Sequence, residues 1–328
     1  SFCNSIVAIG LLYACSAWFQ SMGWPACTRI LTRWHHPKQL GTKWAMCNVS
    51  HQIGSVIVLL GGAWLVEHYS WKQAFFVPGV LCLGLTVLIF ERLRDTPESL
   101  GLPSIEEKEG LPRDAMCAAD DANLSSWQVF RKYILPNRML WSVCMANFFV
   151  YVVRMGFFTW APTLFKEAQN ISLMKSGSYS AAFELAGLFG GIAAGWLSDR
   201  VFNGYRGRVG FVFMMTLGVA LLYFWLTPVH TVFLDVLLMS LMGFFIYGPQ
   251  VLVGVAAAEY GSKRAACAAA GLTGTFGYIG GVFSGVGVGA IADQMGWNAV
   301  IGFFVLSAFL GAAFFTFTWG VSSLKSRT

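Results

Sequence analysis

One stretch limits what this chain can become. Leu140–Pro162 reads LWSVCMANFFVYVVRMGFFTWAP, 23 residues with a single ionisable side chain, Arg154. A helix rises about 1.5 Å per residue, so the run is long enough to cross the roughly 30 Å hydrocarbon core of a bilayer. In lipid the backbone must satisfy its own hydrogen bonds, which makes such a run helical. Arginine at mid-membrane costs about 2.5–3.5 kcal/mol even on the mildest scale. It therefore pairs with a carboxylate on a neighbouring helix, snorkels to the surface, or meets an anion. Fourteen residues of the run precede Arg154 and eight follow it. Snorkelling is strained over that distance, and the sequence favours an anion contact.

Similar runs recur along the chain. Spans are predicted over 2–31 (broken at Gly23-Trp24-Pro25), 44–66, 73–90, 138–165, 176–198, 209–227, 231–259, 265–292 and 297–320, nine in all. The fold class is thus an all-α polytopic membrane protein. Only 12 % of residues are charged, against about 25 % in soluble domains, and the mean hydropathy is +0.60. The net charge of +6 falls in short loops between spans, which argues against a nucleic-acid partner. Eight cysteines without paired spacing read as small buried residues, with no metal or disulfide role. No carboxylate pair, nucleophile–base pair or nucleotide-binding motif is evident, so neither an enzyme nor a cofactor is expected.

Residues 91–137 break the pattern with Asp-Thr-Pro-Glu, Glu-Glu-Lys-Glu and Asp-Asp. They read as a soluble linker with a short amphipathic helix near Trp127–Tyr133. With the carboxyl terminus in the cytoplasm, 18 of the 22 lysines and arginines lie on that side and three on the other, a strong positive-inside bias. The chain also repeats at an offset near 226: Ile53-Gly54 falls on Ile279-Gly280, Trp71 on Trp297, and Lys38 on Arg264. Gly23-Trp24-Pro25 likewise returns as Gly248-Pro249. Spans one to three match the last three, and the three after the linker have no partner upstream. Transporters are commonly built from repeated halves. The pattern predicts a twelve-helix protein lacking its first three helices: 1–90 holds the last three helices of an amino-terminal half, 91–137 the linker and 138–328 a carboxyl-terminal six-helix half.

Between the second and third unpaired spans stands GWLSDRVFNGYRGR, Gly195 to Arg208. Its Gly195-x-x-x-Asp199-Arg200 core with Arg206 and Arg208 resembles the cytoplasmic signature of the major facilitator superfamily. Asp199 is placed to face a helix end and a basic loop, where it can latch helices together. Glu259 reads as a further latch with Lys263 or Arg264. The runs FQSMGWPACTRILTRWHHPKQLG, NVSHQIG, RDTPESLGLP, VYVVRMGFFTWAP, IYGPQVLVGVAAAE and GLTGTFGYIGG narrow the resemblance to the organophosphate:phosphate antiporter family. It covers essentially the whole chain.

That resemblance implies a major facilitator fold with nine of twelve helices present. It implies a secondary antiporter that exchanges inorganic phosphate for an organic phosphate ester by alternating access. Arg154 matches the second-half arginine of a two-arginine phosphate clamp, whose other arginine would lie in the missing helices. His51 matches the family's pocket histidine, and Trp24, Tyr247 and Tyr278 fall at positions of pocket aromatics. A guanidinium fork suits a tetrahedral oxyanion, and histidine makes the contact pH-sensitive. Glu184 is a candidate partner that holds Arg154 when phosphate is absent. Met155 and Cys47 depart from the glycerol-phosphate members, which carry tyrosine and tryptophan there, and the VYVVR and GVAAAE stretches resemble the hexose-phosphate branch. The charged specificity pair of hexose-phosphate carriers is missing from 265–292. The expected substrate is a hexose 6-phosphate, with glycerol 3-phosphate transport and a hexose-phosphate sensor as alternatives. The expected setting is a monomer in the bacterial inner membrane.

Overall fold

In the computed structural model, residues 5–36, 39–109, 125–169, 173–227 and 231–321 are described. They form twelve α-helices: α1 (Ile6–Ser21), α2 (Gly23–Trp34), α3 (Leu40–His68), α4 (Gln73–Arg92), the short α5 (Ile105–Glu109) and α6 (Ser126–Val129), α7 (Arg138–Gln169), α8 (Leu173–Arg200), α9 (Arg206–Leu226), α10 (Val232–Tyr260), α11 (Ser262–Met295) and α12 (Trp297–Thr316). The prediction that the first three helices are lacking is corrected here, because α1, α2 and α3 are in place at the amino-terminal end. The span broken at Gly23-Trp24-Pro25 comprises two helices, α1 and α2, and α5 and α6 are too short to span.

The break between α1 and α2 has a local cause. A proline ring clashes with the carbonyl four residues back. Pro25 thereby sets the end of α1 at Ser21, and Pro25 itself is tolerated in the first turn of α2. Eight stretches among the described residues are long and apolar enough to cross a membrane. The predicted span 44–66 lies within α3, which is continuously helical but is not one of the eight. The short helix expected near Trp127–Tyr133 is α6, continued by a π-helical turn over Phe130–Ile134.

The core lies among α7–α12. There α8 packs along α10, α7 along α11 and α9 along α12. Phe157, Phe183, Met242, Tyr247, Phe304 and Phe315 are each at most 2 % exposed. Helices α2 and α3 pack on this bundle through Leu31, Leu40, Trp44 and Ala45 against Val251, Val255, Ala258 and Ala266. By contrast α1 and α4 bury none of their described residues and present apolar side chains outward, as helices in lipid do.

Two glycine contacts govern how close α8 and α10 come. A β-carbon on Gly190 would meet the backbone oxygen of Phe244 at 1.9 Å, and one on Gly243 would meet that of Phe183 at 2.0 Å. The backbones of α8 and α10 thus touch at a point where no larger residue fits, the geometry of small-residue crossings in membranes.

Candidate functional site

That crossing creates a polar group inside the bundle. Glu184 lies on α8 six residues before Gly190, and Tyr247 lies on α10 four residues after Gly243. Gly187 adds to the effect, because a β-carbon there would strike the Tyr247 ring at 2.2 Å. Tyr247 donates its hydroxyl to Glu184 at 2.5 Å and accepts a hydrogen bond from Arg154 Nη2 at 3.0 Å. The Arg154 guanidinium also lies over the Tyr247 ring, 4.8 Å from its centroid, and 5.9 Å from that of Tyr151. Glu184 therefore reaches Arg154 through the phenol of Tyr247. The negative charge partly offsets the cost of the buried cation, yet leaves much of it unsatisfied. Arg154 Nε and Glu184 Oε1 are buried with no hydrogen-bond partner among the described residues.

The other residues singled out from the sequence lie around this group or on other elements. Tyr278, on α11, is 62 % exposed and meets Tyr151 edge-on at 5.9 Å. Trp24 is on α2, edge-on to Trp44 at 5.8 Å. His51 is exposed on α3. These two helices pack mainly on α8, α10 and α11. Tyr151 was not singled out from the sequence, although its position three residues before Arg154 on the same helix was a sufficient signal.

The cytoplasmic signature builds a second and more complete group. Asp199, at the end of α8, accepts hydrogen bonds from Gly41 N at 3.3 Å, Thr42 N at 2.7 Å and Thr42 Oγ1 at 2.7 Å. These donors open α3, so Asp199 acts as a cap for a helix 157 residues away, with its charge on the favourable end of the helix dipole. Arg206 then bonds Asp199, Ser198 Oγ at 2.9 Å, and both carboxylate oxygens of Glu259 at 3.2 and 2.9 Å. The side chains of Asp199, Arg206 and Glu259 are at most 2 % exposed. Gly195 permits the contact, because a β-carbon there would meet the Gly41 oxygen at 2.6 Å.

One pairing adds a partner the sequence did not suggest. Glu259 binds Arg206 with both oxygens, whereas the predicted partners Lys263 and Arg264 have side chains outside the described residues. Arg206 is buried at the head of α9, where it bridges two carboxylates. Arg200 is exposed at the end of α8, and Arg208 stacks on Tyr205 at 3.9 Å while donating to the Trp319 carbonyl at 3.1 Å.

A multi-helix membrane bundle, with one underpaired arginine at its core and a charge network tying helix ends, belongs to the secondary transporters. A family model described as "Major Facilitator Superfamily" matches residues 2–285, and the chain belongs to that superfamily. Within it the chain belongs to the family of hexose phosphate and glycerol-3-phosphate transport proteins. It is 36 % identical over 335 residues to a "Probable hexose phosphate transport protein" of Chlamydia pneumoniae, covering 99 % of this chain and 74 % of that protein. It is 38 % identical over 322 residues to the "Glycerol-3-phosphate transporter" of Bacillus subtilis, covering 96 % and 72 %. The fold is also similar to a solved proton:xylose symporter of the superfamily (TM-score 0.58, 14 % identity), covering 90 % of this chain and 66 % of that one.

Proposed function

We propose that the chain works as an antiporter that exchanges inorganic phosphate for a phosphate monoester, most readily a hexose 6-phosphate, in the inner membrane of a bacterium. The observation that carries this reading is Arg154: a half-buried guanidinium within a membrane span, whose Nε lacks a partner among the described residues and which donates to a neutral phenol. Such a group is preorganised for a tetrahedral oxyanion. On binding, phosphate supplies the acceptors that Glu184 does not supply directly, and Tyr247 can remain bonded to either partner. His51, Trp24 and Tyr278 are assigned to the walls of the same passage.

The Asp199–Arg206–Glu259 network is assigned to the other half of the cycle. It joins α3, α8, α9 and α10 at their cytoplasmic ends, and alternating access requires such contacts to break and reform. The positive-inside bias supports a cytoplasmic carboxyl terminus, and the chain is read as a monomer. Glycerol 3-phosphate is the second substrate reading, supported by the identity to the Bacillus subtilis protein.

Uptake of labelled phosphate into phosphate-loaded liposomes tests the reading, with glucose 6-phosphate and glycerol 3-phosphate as competitors. Saturable exchange, blocked more strongly by glucose 6-phosphate and absent in R154K, is expected. Hexose-phosphate binding that depends on Arg154 but proceeds without any exchange would replace antiport with a receptor role.

A further inference from the structure

The atoms left unsatisfied beside Arg154 are unlike those of a site made for phosphate alone. A phosphate site needs donors, yet the neighbouring carboxamides present acceptors. On α10, Gln250 lies three residues after Tyr247, and on α7, Tyr151 lies three residues before Arg154. The amide group of Gln250 is within hydrogen-bonding reach of the Tyr151 phenol, and its carbonyl oxygen Oε1 is buried without a partner. Asn147, one turn further along the same face of α7, repeats the arrangement: Nδ2 donates to the Thr273 carbonyl at 2.7 Å, and Oδ1 is buried without a partner. Glu184 Oε1 is a third such acceptor.

These groups form rungs between antiparallel helices. Arg154 with Tyr247 makes one rung, and Tyr151 with Gln250 makes the next. Three residues of helix separate them, about 4.5 Å along the axis. In a hexopyranose 6-phosphate the hydroxyl nearest the ester is on C4, the third carbon from the ester oxygen, and it can reach the next rung when the phosphate sits on Arg154. Buried oxygens without a donor are costly, and the cost is removed when a ligand supplies an O–H. A carboxylate on the ligand supplies none and is repelled by Glu184.

We infer that Gln250 is a specificity-determining residue whose carboxamide oxygen accepts a hydrogen bond from a hydroxyl of the organic moiety, so that the site selects polyhydroxylated phosphate monoesters over phosphates bearing a carboxylate. The inference rests on the reading that Arg154 holds the phosphate.

The test uses the full chain in phosphate-loaded liposomes, with glucose 6-phosphate and phosphoenolpyruvate, which carries a carboxylate and no hydroxyl, as competitors of labelled phosphate. The readout is the inhibition constant of each ester divided by the KM for phosphate. In the unaltered protein this ratio is lower for glucose 6-phosphate by tenfold or more. Gln250→Leu raises it about tenfold for glucose 6-phosphate, the worth of one hydrogen bond, and leaves the phosphoenolpyruvate ratio within twofold. Gln250→Glu keeps an acceptor in the same place and holds the glucose 6-phosphate ratio closer to the parent than leucine does. Gln250→Ala gives the same comparison where leucine disturbs the packing. An unchanged ratio in both Q250L and Q250A, or equal inhibition of the parent by the two esters, overturns the inference while phosphate exchange itself leaves the antiport reading intact. A parent that exchanges no phosphate removes that reading, and the inference with it.

Discussion

Arg154, half-buried, and Arg206, fully buried, sit in one helical bundle, yet they are finished differently. Arg206 bonds three side chains, two of them carboxylates, so its charge is fully answered within the protein. Among the described residues Arg154 bonds one phenol, and its Nε faces no acceptor. Removing an arginine of the first kind takes away a cation bonded to two buried carboxylates, and the loss falls on the fold. Removing one of the second kind takes away a feature the fold does not need. A buried charge therefore indicates function when its pairing is incomplete, and structure when its pairing is complete.

The strongest way to break this comparison is to exchange the phenotypes. Breaking a buried charge network by removing one member costs about 3–5 kcal/mol. R206A is accordingly expected to lower the thermal unfolding temperature in detergent more than any other single change discussed, while R154A stays close to the parent. An R206A protein as stable as the parent would end the assignment of that cluster to structure. In the same preparations R154A should lose phosphate affinity by about 2–5 kcal/mol, roughly thirty-fold to several-thousand-fold, as expected for deleting the charge that faces a bound anion. Retained affinity in equilibrium binding of labelled phosphate would remove Arg154 from the site.

How much of this could be read from the chain differs between the two arginines. Arg154 stands alone in an apolar run, so its position in the membrane follows from local hydropathy. Asp199 and Gly195 were legible through their fixed spacing. The partnership of Arg206 with Glu259 was not, because 53 residues separate them and the basic residues next to Glu259 offered a nearer choice. Thr42 as a donor to Asp199 was equally hidden, since neither its backbone N–H nor its hydroxyl carries a sequence signal across 157 residues. Helix number also escaped a hydropathy count, because Pro25 divides one apolar run into two helices. Glu184 was legible as a charge in a span, but the relay through Tyr247 depends on the Gly190–Gly243 crossing. Two glycines on separate helices do not announce that they meet.

That crossing links the two arginines' regions, and it allows a finer test. Any side chain at Gly190 must displace the α10 backbone, and overpacking of this kind costs about 1–3 kcal/mol. G190V is expected to lower the unfolding temperature less than R206A does. It should also weaken phosphate exchange, because it pushes Tyr247 away from Glu184. A G190V protein with reduced stability but parental exchange would show that the relay plays no part in transport.

The smallest expected effect separates relay from ring. Y247F keeps the aromatic face under the Arg154 guanidinium and deletes only the hydroxyl that joins it to Glu184. A single hydrogen bond of this kind is worth about 0.5–1.5 kcal/mol, with more when charged groups are involved. Arg154 then loses its hydrogen bond to the phenol, and Glu184 loses the donor at Oε2. If the phenol serves to hold the arginine back when phosphate is absent, Y247F should bind phosphate slightly more tightly and lose the dependence of exchange on Glu184. The E184Q change would then have little further effect in the Y247F background, although it slows exchange in the parent. If the phenol instead contacts phosphate directly, Y247F weakens binding and the two substitutions act independently. A double-mutant cycle on exchange rate and phosphate affinity separates these cases, because coupling between positions 184 and 247 is expected only when the hydroxyl is the link.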